Sequence, residues 1–149
     1  MTMRSEAMQR LDVLTGSWRV TMSNAWFLEP AGREVPGTAT AEWLDDAVVV
    51  FRWTMDGDVA PATSTMMLVL GRNDPQDAYT ALYHDERGVC RVYAMTFDGS
   101  RWTLVRDDPD RSQRFVADVG PDRITGAWEA SEDHGVTWSK DFDLVFERT

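Results

Sequence analysis

The chain has 149 residues, enough for one domain that buries most of its apolar surface without disulfides or metals. Its 15 basic and 25 acidic residues leave a formal charge of −10, which argues against nucleic acid and anionic membrane surfaces as partners. The single cysteine, Cys90, rules out an internal disulfide framework; with no apolar run in Met1-Thr2-Met3-Arg4-Ser5-Glu6 for a signal segment, the expected address is cytoplasmic.

In chain order, the first element is the only helical pattern. Ser5 can cap it, Glu6 suits the positive end of its dipole, and Ala7, Met8, Leu11 and Leu14 recur at helical spacing. The spacing predicts a helix over 5–14 that Gly16 stops. It is too short to form a layer of its own, so it should plug one end of whatever follows.

From Gly16 onward the period is two. Trp18, Val20 and Met22 share one face of a first strand, and Ser17, Arg19 and Thr21 share the other. A loop over 25–37 follows, broken by Glu29-Pro30-Ala31-Gly32 and Pro36-Gly37. It carries Trp26 and Phe27, aromatic surface that needs something to cover. The open end of a barrel is one such partner, which would make the loop a gate; a second copy of the chain, in a homodimer, is the other.

Strands are then expected near 38–45, 47–56, 63–71, 77–85, 88–97, 100–107, 111–119, 122–131 and 136–148. Turn chemistry separates them: Asp45-Asp46, Asp56-Gly57, Asn73-Asp74-Pro75, Arg87-Gly88, Asp98-Gly99, Asp108-Pro109-Asp110, Gly120-Pro121-Asp122 and His134-Gly135. Short connections force neighbouring antiparallel strands, and a meander of about ten strands must curl and close to remove its edges. The fold class is therefore all-β: a closed antiparallel meander barrel over 15–148 with a short N-terminal helix, one domain over 1–149. No long amphipathic helix supports a helix-grip fold, and no helices between strands support a doubly wound sheet.

Gly16-x-Trp18 near the start, with Arg148 at the end of the last strand, resembles the calycin pattern of lipocalins and fatty-acid-binding proteins. The resemblance implies that Trp18 closes the barrel bottom with the Arg148 guanidinium over its ring. Further along stand Ser131-x-Asp133-x-Gly135-x-Thr137-Trp138 and a middle block of Tyr79, Tyr83-His84-Asp85, Gly88, Arg91 and Tyr93. Together these resemble an uncharacterised bacterial family of lipocalin-like barrels, over residues 9–148. That family carries glycine where His134 stands. The Thr-Asp-Tyr motif of lipocalins is missing, and Val20 and Met22 occupy positions that are glycine in the haem-binding nitrobindin-like barrels, a departure that argues against haem.

The seven tryptophans are the unusual compositional feature. Trp18, Trp43, Phe51, Trp53, Trp102, Trp128, Trp138 and Phe142 fall mainly on apolar faces, where they either fill a core or wall a cavity. Tyr79 and Tyr83 share a face, as do Arg91, Tyr93, Met95 and Phe97. If the Arg91 face points inward, its arginine and tyrosines can orient the polar end of a ligand such as a carboxylate. The plainer arrangement turns it outward, with Arg91 in solvent. Lys140, the only lysine, alternates with Trp138 and Phe142 and should point where they point.

His84 beside Asp85 is the one residue suited to axial haem ligation, but two scattered histidines and one cysteine give no zinc spacing. The acidic clusters Asp45-Asp46, Asp107-Asp108 with Asp110, and Glu132-Asp133 fit turns, not a calcium loop. No phosphate loop, serine elbow or Cys–His pair specifies a reaction. The expected function is a cofactor-free container for a small, largely apolar ligand, lined by Trp43, Trp53, Tyr79, Tyr83, Arg91, Tyr93, Trp102, Trp128 and Lys140, with Gly16, Trp18 and Arg148 closing the barrel. The alternatives are a haem-binding barrel using His84, a small isomerase or cyclase that works by holding its substrate, and a filled barrel that associates with a protein partner.

Overall fold

A computed structural model describes residues 4–149; Met1, Thr2 and Met3, part of the segment that carries no signal run, lie outside the described residues. Ser5 caps the helix as its chemistry demands, its Oγ accepting from the Met8 amide at 3.2 Å. The helix α1 covers Glu6–Gln9 and tightens into a 3-10 turn over Arg10–Leu14. Met8, Leu11 and Leu14 are buried on its inner face.

Ten strands follow: β1 (Gly16–Ser23), β2 (Val35–Leu44), β3 (Val48–Met55), β4 (Thr65–Asn73), β5 (Ala78–Asp85), β6 (Cys90–Phe97), β7 (Arg101–Asp107), β8 (Ser112–Val119), β9 (Arg123–Ser131) and β10 (Ser139–Arg148). Each pairs with its chain neighbours, and β1 pairs with β10, so the sheet is a closed antiparallel meander barrel. At the seam Trp18 stands opposite Arg148 and Ser23 opposite Asp143. Buried and exposed residues alternate along β1, with Trp18, Val20 and Met22 inside.

Three boundaries differ from the sequence expectation. Strand β2 starts at Val35, not 38, because Pro36 and Gly37 pair with Thr21 and Val20 of β1. Gly37 sits against the β3 backbone, where a side chain would strike the Thr54 carbonyl, so it marks a close strand approach and not a loop. The loop between β3 and β4 covers 56–64, slightly wider than the expected gap over 57–62. Strand β10 starts at Ser139, not 136, because Asp133 holds the preceding residues in a turn, accepting from the Thr137 amide at 2.9 Å and its hydroxyl at 2.6 Å. The tight turn at Asp45-Asp46 has both residues at φ 54°, the left-handed conformation that Asp tolerates.

A β-bulge interrupts β10 between Lys140 and Phe142. Lys140 stands opposite Glu129 and Phe142 opposite Trp128, so the extra residue, Asp141, puts the two on opposite faces. Strict alternation had Lys140 pointing with Phe142; instead its ammonium lies exposed and pairs with Asp143 at 2.9 Å.

Inside the barrel, Phe51, Trp53, Trp102, Phe115 and Phe146 meet mostly edge to face, with centroids 5.3–6.0 Å apart. Together with Leu68, Leu104 and Leu144 they leave no room for a water molecule in the middle of the barrel. The indole nitrogens of Trp53 and Trp102 are buried there without a hydrogen-bond partner.

Candidate functional site

The helix side of the barrel is sealed. Arg148 lies 4.1 Å over the Trp18 ring, and its guanidinium donates to the carbonyls of Val13, Thr15 and Pro121. Trp18 donates its Nε1 proton to the Leu14 carbonyl at 3.0 Å. Gly16 has φ 125°, and a Cβ there would come within 2.5 Å of the Arg148 guanidinium, so glycine is needed on two counts. Trp43 belongs to this end: its Nε1 donates to Asp12 at 2.8 Å and Arg4 covers its ring at 3.6 Å. Tyr79 belongs here too, its hydroxyl tied to the Ala7 carbonyl of α1. Trp53 and Trp102 fill the middle. None of these four predicted ligand residues lines the open end of the barrel.

At the opposite end the barrel opens into a cup of about 300 Å³. Met22, Met66, Trp128, Phe142 and Phe27 supply apolar wall, and Pro61 to Thr63 of the 56–64 loop form part of the rim. Tyr83, Arg91, Tyr93 and Trp128, all predicted, meet here; Lys140 does not. Strand β6 resolves the face left open by the sequence: Tyr93, Met95 and Phe97 are buried and Arg91 lines the cup, so the arginine points inward. His84 is exposed on the outer face of β5, so the residue suited to haem ligation does not face the interior.

The polar groups of the cup form two networks. In the first, the Asp85 carboxylate is fully buried and accepts from the Tyr83 hydroxyl at 2.8 Å, the Arg87 amide at 2.9 Å and the Arg87 guanidinium at 2.6 and 3.1 Å. The Arg87 hydrogen bond, helped by Tyr83, holds the Asp85 carboxyl down to about 2. Burial, with Asp85 beside it, pushes Tyr83 up to about 12. Tyr83 therefore stays protonated at neutral pH and donates to Asp85.

The second network centres on Arg106 of β7, whose side chain is 2% exposed. Its Nε donates to Gln113 Oε1 at 2.8 Å, and its Nη1 to Asp108 and Asp110 at 2.7 and 3.0 Å. Burial disfavours this charge, but Asp110 and Asp108 more than offset it and raise the Arg106 pKa. Tyr93 donates to the same Gln113 oxygen at 3.2 Å. Arg106, Gln113 and Arg111 were not anticipated. The available signal was Arg106 in phase with Trp102 and Leu104, with Asp108-Pro109-Asp110 beyond it; those acids read as turn formers and also bind the guanidinium.

The 24–34 loop lies beside the mouth. The Trp26 ring is 71% exposed; its amide donates to the Asp141 carbonyl at 3.4 Å and its Nε1 to the Asp141 carboxylate at 3.2 Å. Phe27 bridges the Trp26 and Phe142 rings, with centroids at 5.6 and 5.9 Å. The loop thus rests on the bulge of β10. No group of three or more His, Cys, Asp or Glu among the described residues could hold a metal ion, and none of their helices is long and apolar enough to cross a membrane. No protein-family model matches the chain, and no curated protein does.

Proposed function

We propose that the protein is a cofactor-free, lipocalin-like binding barrel that takes one small, largely apolar ligand in the cup at its open end, gated by the 24–34 loop. The observation that carries this reading is the asymmetry of the interior: a middle packed to exclusion of water, and above it a cup of about 300 Å³ walled by Met, Phe and Trp. That volume is at the lower limit of small-molecule sites. The ten-strand closed meander and Arg148 over Trp18 support the lipocalin-like kinship. A charge of −10 favours a small molecule over nucleic acid, and the exposed free Cys90 fits a reducing cytoplasm.

The test is titration with N-phenyl-1-naphthylamine, a neutral apolar fluorophore. Its emission should rise saturably while tryptophan emission falls, because Trp128 lines the cup. Met66→Trp, which fills the cup with a larger ring, should abolish the response. Absence of any saturable response in the unaltered protein would sink the container reading and leave protein association as the surviving one.

A further inference from the structure

Three arginines near the open end of this acidic chain have carboxylate partners: Arg87 pairs with Asp85, Arg106 with Asp108 and Asp110, and Arg114 with Glu129. Of the three arginines that line the cup, Arg87 is thus paired, and Arg91 and Arg111 stand apart. Both are half-buried, both line the cup, and neither has a carboxylate within ion-pair distance among the described residues. With acids outnumbering bases 25 to 15, unpaired arginines facing one cavity mark a local demand for an anion.

Gln113 adds a third donor to the same wall. Its Oε1 is fixed by two donors, the Tyr93 hydroxyl and the Arg106 Nε, so the amide cannot flip without losing both. The Nε2 hydrogens therefore remain for whatever enters, and no protein acceptor takes them among the described residues. Arg91 on β6, and Arg111 just before β8, lie two residues nearer the mouth than Tyr93 and Gln113. The donors thus sit at the rim, and the apolar wall lies beside and below them. The one carboxylate that lines the cup, Asp141, is engaged by the Trp26 indole.

We propose that the ligand is an organic carboxylate with a short apolar body, its head held at the rim between Arg91 and Arg111 with Gln113 donating from below. This deepens, and rests on, the reading of the cup as a binding site. A guanidinium matches a carboxylate with paired N–H donors, and burial beside apolar rings strengthens the contact. The volume sets a scale: a cup of about 300 Å³ lies at the lower limit of small-molecule sites, a size that an eight-carbon acid suits.

The experiment compares octanoate with octan-1-ol, which share a chain and differ in the head. Each competes against bound N-phenyl-1-naphthylamine at pH 7, and octanoate is also titrated alone by calorimetry. Octan-1-ol is the more hydrophobic of the two, so partition alone favours it. The proposal expects octanoate to compete better by about tenfold or more, since one charge-assisted hydrogen bond is worth about that factor. R91Q/R111Q should abolish this preference, and R91K/R111K, which keeps both charges, should restore part of it. Equal competition by the two, or a preference that survives in R91Q/R111Q, would overturn the carboxylate while leaving the container intact. No fluorophore binding and no octanoate heat would overturn both. Circular dichroism of each variant confirms that the barrel is folded when the comparison is made.

Discussion

At the closed end of the barrel Arg148 donates to the carbonyls of Val13, Thr15 and Pro121, whereas at the open end Arg91 and Arg111 face a cavity with no carboxylate in ion-pair distance among the described residues. The tryptophans differ in burial: Trp18 lies buried beneath Arg148 with its indole bonded to Leu14, while Trp26, bonded to Asp141, is 71% exposed on a loop. An arginine whose donors are used within the fold serves rigidity; on the proposed reading of the cup, one whose donors are left over serves recognition. A saturated cluster has one arrangement, and breaking it costs stability; an unsaturated one can be altered cheaply and changes what binds.

The largest effect should come from Trp18→Ala at the closed end. Removing that buried ring, with its bond to Leu14 and its contact with Arg148, should cost about 4 kcal/mol in urea unfolding. N-phenyl-1-naphthylamine binding should persist wherever the variant is still folded. A loss under about 1 kcal/mol would mean that the closed end does not anchor the barrel.

Next is Asp85→Asn, which tests whether the open end has a rigid part of its own. Asp85 is fully buried among the donors of Arg87 and Tyr83, so the substitution should cost about 3 kcal/mol. The same group sets an acid limit. Its folded pKa is depressed to about 2, so its contribution is complete above about pH 4 and is lost as the pH falls toward 2. The unaltered protein should therefore lose stability across that window, and Asp85→Asn should lose less. Parallel acid profiles for the two would remove Asp85 from the account.

A smaller loss, about 2 kcal/mol, is expected for Arg148→Met, which keeps much of the packing on Trp18 but leaves three carbonyls without their donor. The smallest stability change, about 1 kcal/mol, should follow from replacing Trp26 and Phe27 together with Ser, since that ring stack is partly in water. Stopped-flow rates for the fluorophore should nevertheless rise in both directions if the loop gates the cup. A shift in sedimentation with unchanged rates would reassign the pair to contact with a second copy of the chain.

The barrel was legible in the sequence because its signals are local and repeated. Alternation fixes each strand, Asp45-Asp46 or Asp98-Gly99 fixes each turn, and short turns leave only a meander. The site was half legible. Tyr83, Arg91, Tyr93 and Trp128 lie in the cup, yet Tyr79 shares a strand face with Tyr83 and lies at the other end beneath α1. Alternation tells in from out and carries no information on height along the barrel axis. Lys140 failed for a different reason. One inserted residue, Asp141, reverses the parity of everything before it in β10, and nothing in the local composition announces a bulge. Arg106 was passed over because a buried guanidinium depends on Asp108, Asp110 and Gln113 converging from a turn and a neighbouring strand.

The seam between β1 and β10 also has a consequence in time. Trp18 and Arg148 are neighbours across it, yet nearly the whole chain separates them. While the chain emerges from the ribosome, β1 can pair with β2 and each hairpin can close on its predecessor, but one edge of β1 stays bare until the last strand has been made. Until β10 is made the barrel is an open, growing sheet with two sticky margins, and only that strand turns it into a ring. A ribosome that stalls within β10 would release the sheet and not the barrel, and the acidic surface is then the main restraint on its pairing with another nascent chain.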